Sequence, residues 1–177
     1  MNTLETICTR KSVRSYTGES LTDDELERIL KAANASPAAM GKYESLHITV
    51  IKKREMLDRI ESAAAEVFGR PDSHPLYGAP LMILISSVKP DMGSENAAYS
   101  NAAIITENIA LEATELKLGV CQIWGAVYAL SKSPEILSEL GVPDGFIPCC
   151  AVILGKTDYE YTEREIPTGR ISQNVIE

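Results

Sequence analysis

The chain has 177 residues, 45% of them hydrophobic, which is enough for one domain with a substantial core. Lys and Arg total 17 against 25 Asp and Glu, and the formal net charge of -8 disfavours nucleic acid and acidic membrane surfaces as partners. The first residues have neither the basic residues nor the apolar run of a secretory signal, and no stretch approaches the roughly 18 apolar residues of a membrane span, so we expect a cytoplasmic protein.

Cysteine and histidine usage restricts the possible chemistry. The four cysteines show no C-x-x-C spacing, so we expect buried, reduced thiols. Only two histidines are present, His47 and His74, so few residues are available for a metal site or for Ser/His or Cys/His catalysis. We therefore expect no metal, and we expect His47 to pack or face solvent within a strand.

The first distinctive feature is a cationic stretch at residues 10–16, which follows a short predicted helix at residues 4–10. It holds three cations and two serines within seven residues of an otherwise acidic chain. Arg and Lys supply charge-assisted hydrogen-bond donors and Ser a directional one, as a phosphate ester requires. A solvated basic turn has the same composition, and the spacing alone favours that second interpretation.

A helix start signal comes next. Thr22 and Glu25 have the spacing of a capping box, which predicts a helix that begins there. Apolar residues then recur at helical spacing until Pro37 ends the pattern. Residues 37–45 are small and loop-like, and residues 46–51 predict a strand.

The middle of the chain alternates predicted helices and strands. An amphipathic helix at residues 54–68 precedes a loop at residues 69–80, whose Pro and Gly content suits movement. Residues 81–85 predict a strand buried on both faces. Residues 96–117 predict the longest helix, and because it is apolar on most sides we expect it to be buried, in the core or against a second subunit.

The last third holds further elements and an irregular tail. It contains a strand or extended turn at residues 119–125, a helix opened by Ser133 and Pro134, and a strand at residues 146–154. Residues 155–177 show no clear period, which predicts an arm laid over a surface or a partner.

These features, in this order, resemble the FMN-dependent nitroreductase family. The cationic stretch, the capped helix ending before Pro37 and the small-residue loop are similar to the family's N-terminal signature. Residues 118–125 are similar to its stretch beside the flavin ring, and residues 140–155 to its penultimate helix and strand. The resemblance covers roughly residues 3–173 and favours the phosphate interpretation of the cationic stretch.

The resemblance implies a fold and an assembly. The fold would be α+β, with three layers and a central, mostly antiparallel sheet flanked by helices. One nitroreductase-like domain would span residues 1–177 of an obligate homodimer, with flavin at the interface. Residues 156–177 would form a C-terminal arm that packs on the partner subunit.

The resemblance also implies the residues that contact FMN. The first cations would hold the phosphate and ribityl chain, and Arg14 would lie near the pyrimidine edge, where negative charge gathers on reduction. Arg170 would return to the phosphate, and the small-residue loop would line the ring. The implied residues are Arg10, Lys11, Ser12, Arg14, Pro37, Ala38, Ala39, Met40, Gly41, Ile123, Trp124, Gly125 and Arg170. For Trp124, ordinary core packing is an equally good interpretation.

The chain departs from the family pattern at a few positions. Many members have Asn near the position of Gly41 and a cation at the position of Thr168. Residues 42–45 replace a Gln-Pro-Trp sequence. These departures bear on substrate choice and flavin affinity, and the sequence leaves open whether residues 69–80 cover the site.

The leading hypothesis is an FMN-dependent oxidoreductase that passes hydride from NADH or NADPH through the flavin to a small acceptor such as a nitroaromatic, quinone or enone. The flavin carries the chemistry, so no side chain is assigned as catalytic. An alternative is a flavin-binding or flavin-buffering dimer without NAD(P)H turnover. A third is a structural dimer whose basic stretch binds only stray anions.

Overall fold

The computed structural model describes residues 1–91 and 95–177, where α-helices and β-strands are interspersed along the chain. In chain order they are α1 (Thr3–Thr9), α2 (Asp23–Asn34), β1 (Leu46–Ile51), α3 (Arg54–Val67), β2 (Leu81–Val88), α4 (Glu95–Glu115), β3 (Gly119–Ile123), α5 (Gly125–Leu130), α6 (Pro134–Glu139) and β4 (Phe146–Gly155).

The strands form a four-stranded antiparallel sheet within the described residues. Its order is β1-β2-β4-β3, so β1 and β3 are the two edge strands. All seven residues from Leu81 to Ser87 of β2 are buried, because helices cover both faces of this inner strand. The prediction of a strand buried on both faces is confirmed.

Two hydrophobic cores lie on opposite faces of the sheet. Ile83 and Ile85 pack with α2 and α4 on one face. Met82 and Leu84 pack with α3, α5 and α6 on the other face. The alternation of side chains along β2 therefore separates two helical layers, and the predicted three-layer α+β fold is confirmed.

The start of α2 has the geometry that its sequence predicts. The Thr22 side chain accepts from the backbone N–H of Glu25 at 3.3 Å, and the Thr22 N–H donates to the Glu25 carboxylate at 2.8 Å. Two N–H groups that the helix cannot satisfy internally are thus bonded. Ile29 and Ala33 then face the core.

The long helix α4 is only partly enclosed by its own chain. Ala102, Ile109 and Ala113 are buried, as predicted for a core helix. Tyr99 and Ile104 nevertheless remain 48% and 40% exposed, so this helix has apolar side chains that its own chain does not cover. In the described part of the chain, no helix has the combined length and apolarity needed to cross a membrane.

One helix was not expected from the sequence. Residues 119–125 form a strand only as far as Ile123, and α5 begins at Gly125. A Cβ on Gly125 would lie 3.2 Å from the Phe68 ring, so glycine lets the end of α3 approach α5 closely. Residues 39–41 and 43–45, predicted as loop, each form a single 3₁₀ turn.

The C-terminal segment begins on its own protomer. Tyr161 donates to the carbonyl of Leu118 at 2.6 Å, and Arg164 Nε donates to the carbonyl of Cys8 at 2.9 Å. Farther along, Ile171 and Ile176 are 80% and 89% exposed. The last residues therefore expose apolar side chains that this chain does not cover.

Candidate functional site

The cationic stretch runs along the free edge of β3. The backbone N–H of Val13 donates to the carbonyl of Val120 at 2.8 Å, and the Val13 side chain is buried. Arg10 caps the end of α1 with a bond from its N–H to the carbonyl of Thr6. Burial of Val13 thus fixes a segment whose neighbouring residues are polar.

Tyr16 fixes the far end of this segment. Gly119 and Gly155 are paired across β3 and β4, and Cβ atoms on them would lie 2.9 and 3.0 Å from the Tyr16 ring. The Tyr16 hydroxyl donates to the carbonyl of Val13 at 2.9 Å. Burial raises the pKa of this hydroxyl, so it stays protonated as a donor.

Arg10 has a buried hydrogen-bond donor without an acceptor. Its Nε lies 3.5 Å from Glu107 Oε1, which is close enough for an ion pair but does not form an aligned hydrogen bond. Gln122 Nε2 holds the other oxygen of Glu107 at 2.7 Å. A buried, unsatisfied guanidinium N–H is costly, and an anionic ligand such as a phosphate would provide the missing acceptor.

Arg14 is a second cation available to an anion. No carboxylate pairs with it among the described residues, and its guanidinium carbon lies 5.7 Å from the centroid of the Tyr77 ring. Burial raises the pKa of the nearby Cys121 thiol, although Arg14 and a hydrogen bond with Ser12 act in the opposite direction. The thiol therefore stays neutral and leaves the charge of Arg14 intact.

The end of β3 carries an exposed aromatic cluster formed by Phe68, Trp124 and Tyr128. The Trp124 and Tyr128 rings are stacked, with centroids 5.3 Å apart, and Phe68 lies 5.9 Å from each. Trp124 is 67% exposed, so it does not pack in the core of the protomer. Residues Ile123 and Gly125 flank it beside the same surface.

The small-residue loop at residues 37–41 is anchored by α4. Asn101 Oδ1 accepts from the N–H of Ala39 at 3.0 Å, and Asn108 Nδ2 donates to Ser36 Oγ at 2.8 Å. Met40 lies at the tip with a φ of 56° and an exposure of 83%. A non-glycine residue with positive φ indicates a strained backbone, which is frequent at functional sites.

The implied site residues form two groups in one protomer. Arg10 is tied to α4 through Glu107, and Ala39 through Asn101. Six residues separate Glu107 from Asn101, which is about 9 Å along the helix and about 120° around it. The cationic stretch and the small-residue loop therefore attach to different sides of α4.

Two implied residues lie apart from these contacts. Lys11 is exposed beside Arg10. Arg170 is exposed in a turn where its N–H donates to the carbonyl of Pro167 at 3.2 Å, and within the described residues no hydrogen bond or ion pair joins its side chain to the cationic stretch. A role for Arg170 at the phosphate therefore remains a prediction.

Sequence reasoning missed four residues that hold the site in place: Tyr77, Asn101, Glu107 and Asn108. The last three are polar residues of α4, a helix that carries several other polar residues, so the sequence did not single them out. Tyr77 lies in a loop and was not singled out either.

Comparisons with known proteins identify the family of this chain. A family model described as the nitroreductase family matches residues 7–156. A protein of Archaeoglobus fulgidus that carries the name NADH dehydrogenase/NAD(P)H nitroreductase is 31% identical over 174 residues, which cover 93% of each chain. A protein of Bacillus subtilis named FMN reductase (NADPH) is 25% identical, over 87% of this chain and 65% of its own length.

Solved structures show the same fold. A nitroreductase from Bacteroides fragilis with bound FMN has a TM-score of 0.79 at 29% identity, and the match covers all of both chains. A nitroreductase from Desulfitobacterium hafniense has a TM-score of 0.85 at 24% identity, also over all of both chains. At 24% identity, the likeness to the Desulfitobacterium hafniense structure shows the fold alone.

Proposed function

This chain belongs to the nitroreductase family and is an FMN-dependent NAD(P)H oxidoreductase, and we propose that its acceptor is a small molecule such as a nitroaromatic, a quinone or an enone. The names of its relatives support NADH or NADPH as donor. The cytoplasmic location expected from the sequence is part of the proposal.

The observation that carries the proposal is the pair of guanidinium groups along β3. Arg10 has a buried N–H without an acceptor, and Arg14 has no carboxylate partner among the described residues. In a chain of net charge -8, two guanidinium groups at one edge, one with an unsatisfied donor and one without a carboxylate partner in the described residues, favour a specific anion over nonspecific attraction. A phosphate ester joined to a ring that gains negative charge on reduction fits both groups.

Four segments of the chain contact FMN in this proposal. When bound, FMN supplies the two-electron chemistry that connects NAD(P)H to the acceptor. Arg10, Lys11 and Ser12 hold the phosphate and ribityl side, and Arg14 stabilises negative charge at the pyrimidine edge. The backbone at Ile123, Trp124 and Gly125 and the loop at residues 37–41 orient the ring, and Arg170 adds a phosphate contact. No side chain is needed as a general acid or base.

The active assembly in this proposal is a homodimer. The loop at residues 37–41 attaches to a different side of α4 from the cationic stretch, which is compatible with a flavin site shared between two copies of the chain. The outward Tyr99 and Ile104 of α4 supply an apolar surface for that contact. The exposed apolar residues after residue 164 suit an arm that packs on the partner.

The site assignment is tested by titrating FMN into the wild-type protein and an Arg14→Ala variant. Removing a charged donor should weaken FMN binding by about tenfold or more, because hydrogen bonds to charged groups contribute about 1.5–3 kcal/mol. Lys31→Ala removes one exposed cation from α2 and serves as the control, with unchanged affinity expected. Unchanged FMN affinity in both Arg10→Ala and Arg14→Ala would contradict the assignment.

A further inference from the structure

A tight turn beside Arg14 carries an unusual residue. The N–H of Ala79 donates to the carbonyl of Leu76 at 2.9 Å, and the two central residues, Tyr77 and Gly78, have φ values of 52° and 75°. Positive φ at both central positions is the signature of a type I′ turn, which favours Gly, Asn and Asp. A tyrosine at the first central position is therefore strained, and such strain is frequent at functional sites.

The flanks of the turn fix its position. Leu76 is fully buried, and its N–H donates to Glu61 Oε1 at 2.9 Å. Ala79 is buried, and Pro80 packs so closely on Gly155 that a Cβ there would lie 2.6 Å from the Pro80 ring. The C-terminal end of the loop at residues 69–80 therefore packs against the core.

The Tyr77 side chain is directed at Arg14. The guanidinium carbon of Arg14 lies 5.7 Å from the centroid of the Tyr77 ring, within the range of a cation–π contact. Arg10, by contrast, lies beside the carboxylate of Glu107. An aromatic face orients a guanidinium without cancelling its charge, whereas a carboxylate would neutralise it.

We propose that Tyr77 is a positioning residue that holds Arg14 against the flavin and thereby raises the reduction potential of bound FMN. This inference rests on the proposed function. A fixed, unneutralised cation binds the reduced, negatively charged ring more strongly than the oxidised ring. Such a difference in affinity shifts the potential upward.

The test compares the midpoint potential of bound FMN in the wild-type protein, Tyr77→Gly and Tyr77→Phe, measured by equilibration with a reference dye. Glycine adopts positive φ freely, so Tyr77→Gly removes the ring without disturbing the turn. We expect reduced FMN to bind two- to fivefold more weakly relative to oxidised FMN in this variant, which lowers the potential by about 10 to 20 mV. Tyr77→Phe keeps an aromatic face and should keep the wild-type potential.

Tyr159→Ala is the matched control, because Tyr159 is another partly exposed tyrosine, whose ring pairs with the Tyr161 ring and has no cation–π contact in the described structure. It should leave the potential unchanged. FMN that binds with the same potential in the wild-type protein and Tyr77→Gly would overturn this inference alone. Failure of the wild-type protein to bind FMN would overturn the proposed function and this inference together.

Discussion

At the scale of single residues, two glycines make room for the residue that shapes the site. Gly119 and Gly155 face each other across β3 and β4, and the Tyr16 ring occupies the space above both. Because the Tyr16 hydroxyl bonds the carbonyl of Val13, the ring also determines how the cationic stretch returns toward the sheet. A larger side chain at either glycine would therefore displace Tyr16 and, through Val13, change the position of Arg14.

The first prediction concerns Gly155→Ala. The added methyl group would lie 2.6 Å from Pro80 and 3.0 Å from Tyr16, so the backbone or the ring must move. We expect the free energy of unfolding to fall by about 1 to 3 kcal/mol, as for other overpacked sites. Denaturant unfolding measures the change.

Gly169→Ala is the control for this substitution. No atom lies within 4 Å of a Cβ at that position, so the free energy of unfolding should change by less than about 0.5 kcal/mol. Equal effects of the two substitutions would show that the close contacts at Gly155 do not matter.

The sequence revealed the charged residues of the site but not their supports. The cations of residues 10–14 are close together in the chain, so a local reversal of charge made them visible. Glu107 lies almost a hundred positions from Arg10, and Tyr77 lies in a turn whose usual residues are Gly, Asn and Asp. Such supports depend on tertiary contacts that no local pattern records.

At the scale of elements, Glu25 joins the start of α2 to the C-terminal segment. Its carboxylate completes the capping box with Thr22 and also pairs with Lys156. Partial burial alone would raise the pKa of Glu25, but hydrogen bonds from Lys156 and Thr22 outweigh it and lower the pKa below its ordinary value. The ionised form is thus the one that the folded protein favours.

The second prediction follows from this lowered pKa. A carboxyl group with a depressed pKa stabilises the fold above its unfolded pKa, and the contribution is lost as the pH falls through the folded value. Glu25→Gln keeps the capping geometry but removes the charge, so it should lower the free energy of unfolding by about 0.5 to 1 kcal/mol at pH 7. The difference from the wild-type protein should shrink as the pH falls below 4.5, the ordinary pKa of the group.

Denaturant unfolding at several pH values measures this effect. Glu27→Gln is the control, because Glu27 is an exposed neighbour without an ion pair in the described residues. A difference between Glu25→Gln and the wild-type protein that stays constant from pH 7 to pH 3 would contradict the role of the ion pair.

Most helices and strands could be predicted from local sequence patterns. The helix α5 could not, and the reason is physical. The capping box located α2, and continuous apolar runs located β2 and β4, because these signals lie within the elements themselves. The helix α5 was missed because Trp124 and Gly125 continue the apolar character of β3 without a start signal. Packing of Ala126 and Leu130 against α3 and the sheet favours the helix.

At the scale of the whole molecule, α4 separates the two groups of proposed FMN contacts. Asn101 holds the small-residue loop and Glu107 contacts the cationic stretch, on different sides of the helix. In the proposed function, one chain by itself would therefore hold two incomplete sites. In the proposed homodimer each flavin takes the cationic stretch of one chain and the loop of the other.

The third prediction tests this arrangement with mixed dimers. Arg14→Ala removes the cation, and Ala39→Asp places a carboxylate in the loop against the anionic cofactor, so each variant alone should bind FMN weakly. In a dimer with one chain of each kind, one shared site has both changes and the other has neither. We expect about one tightly bound FMN per mixed dimer, counted from the absorption of the purified, differently tagged pair.

A site formed within one chain predicts a different result. If the cationic stretch and the loop of the same chain formed each site, every site in the mixed dimer would carry one change and no tight binding would return. The sequence could not decide between these arrangements, because an apolar helix such as α4 suits both a monomer core and a subunit interface.

Electron transfer through FMN can be observed in the absorption spectrum of the purified protein loaded with FMN, followed without oxygen as NADH and then NADPH are added. An FMN-dependent NAD(P)H oxidoreductase predicts that the flavin bands bleach promptly with at least one donor and return when a nitroaromatic or quinone is added. Bands that persist with both donors would indicate a protein that binds flavin without turnover, and a protein that takes up no FMN would contradict both the proposed function and the proposed FMN contacts.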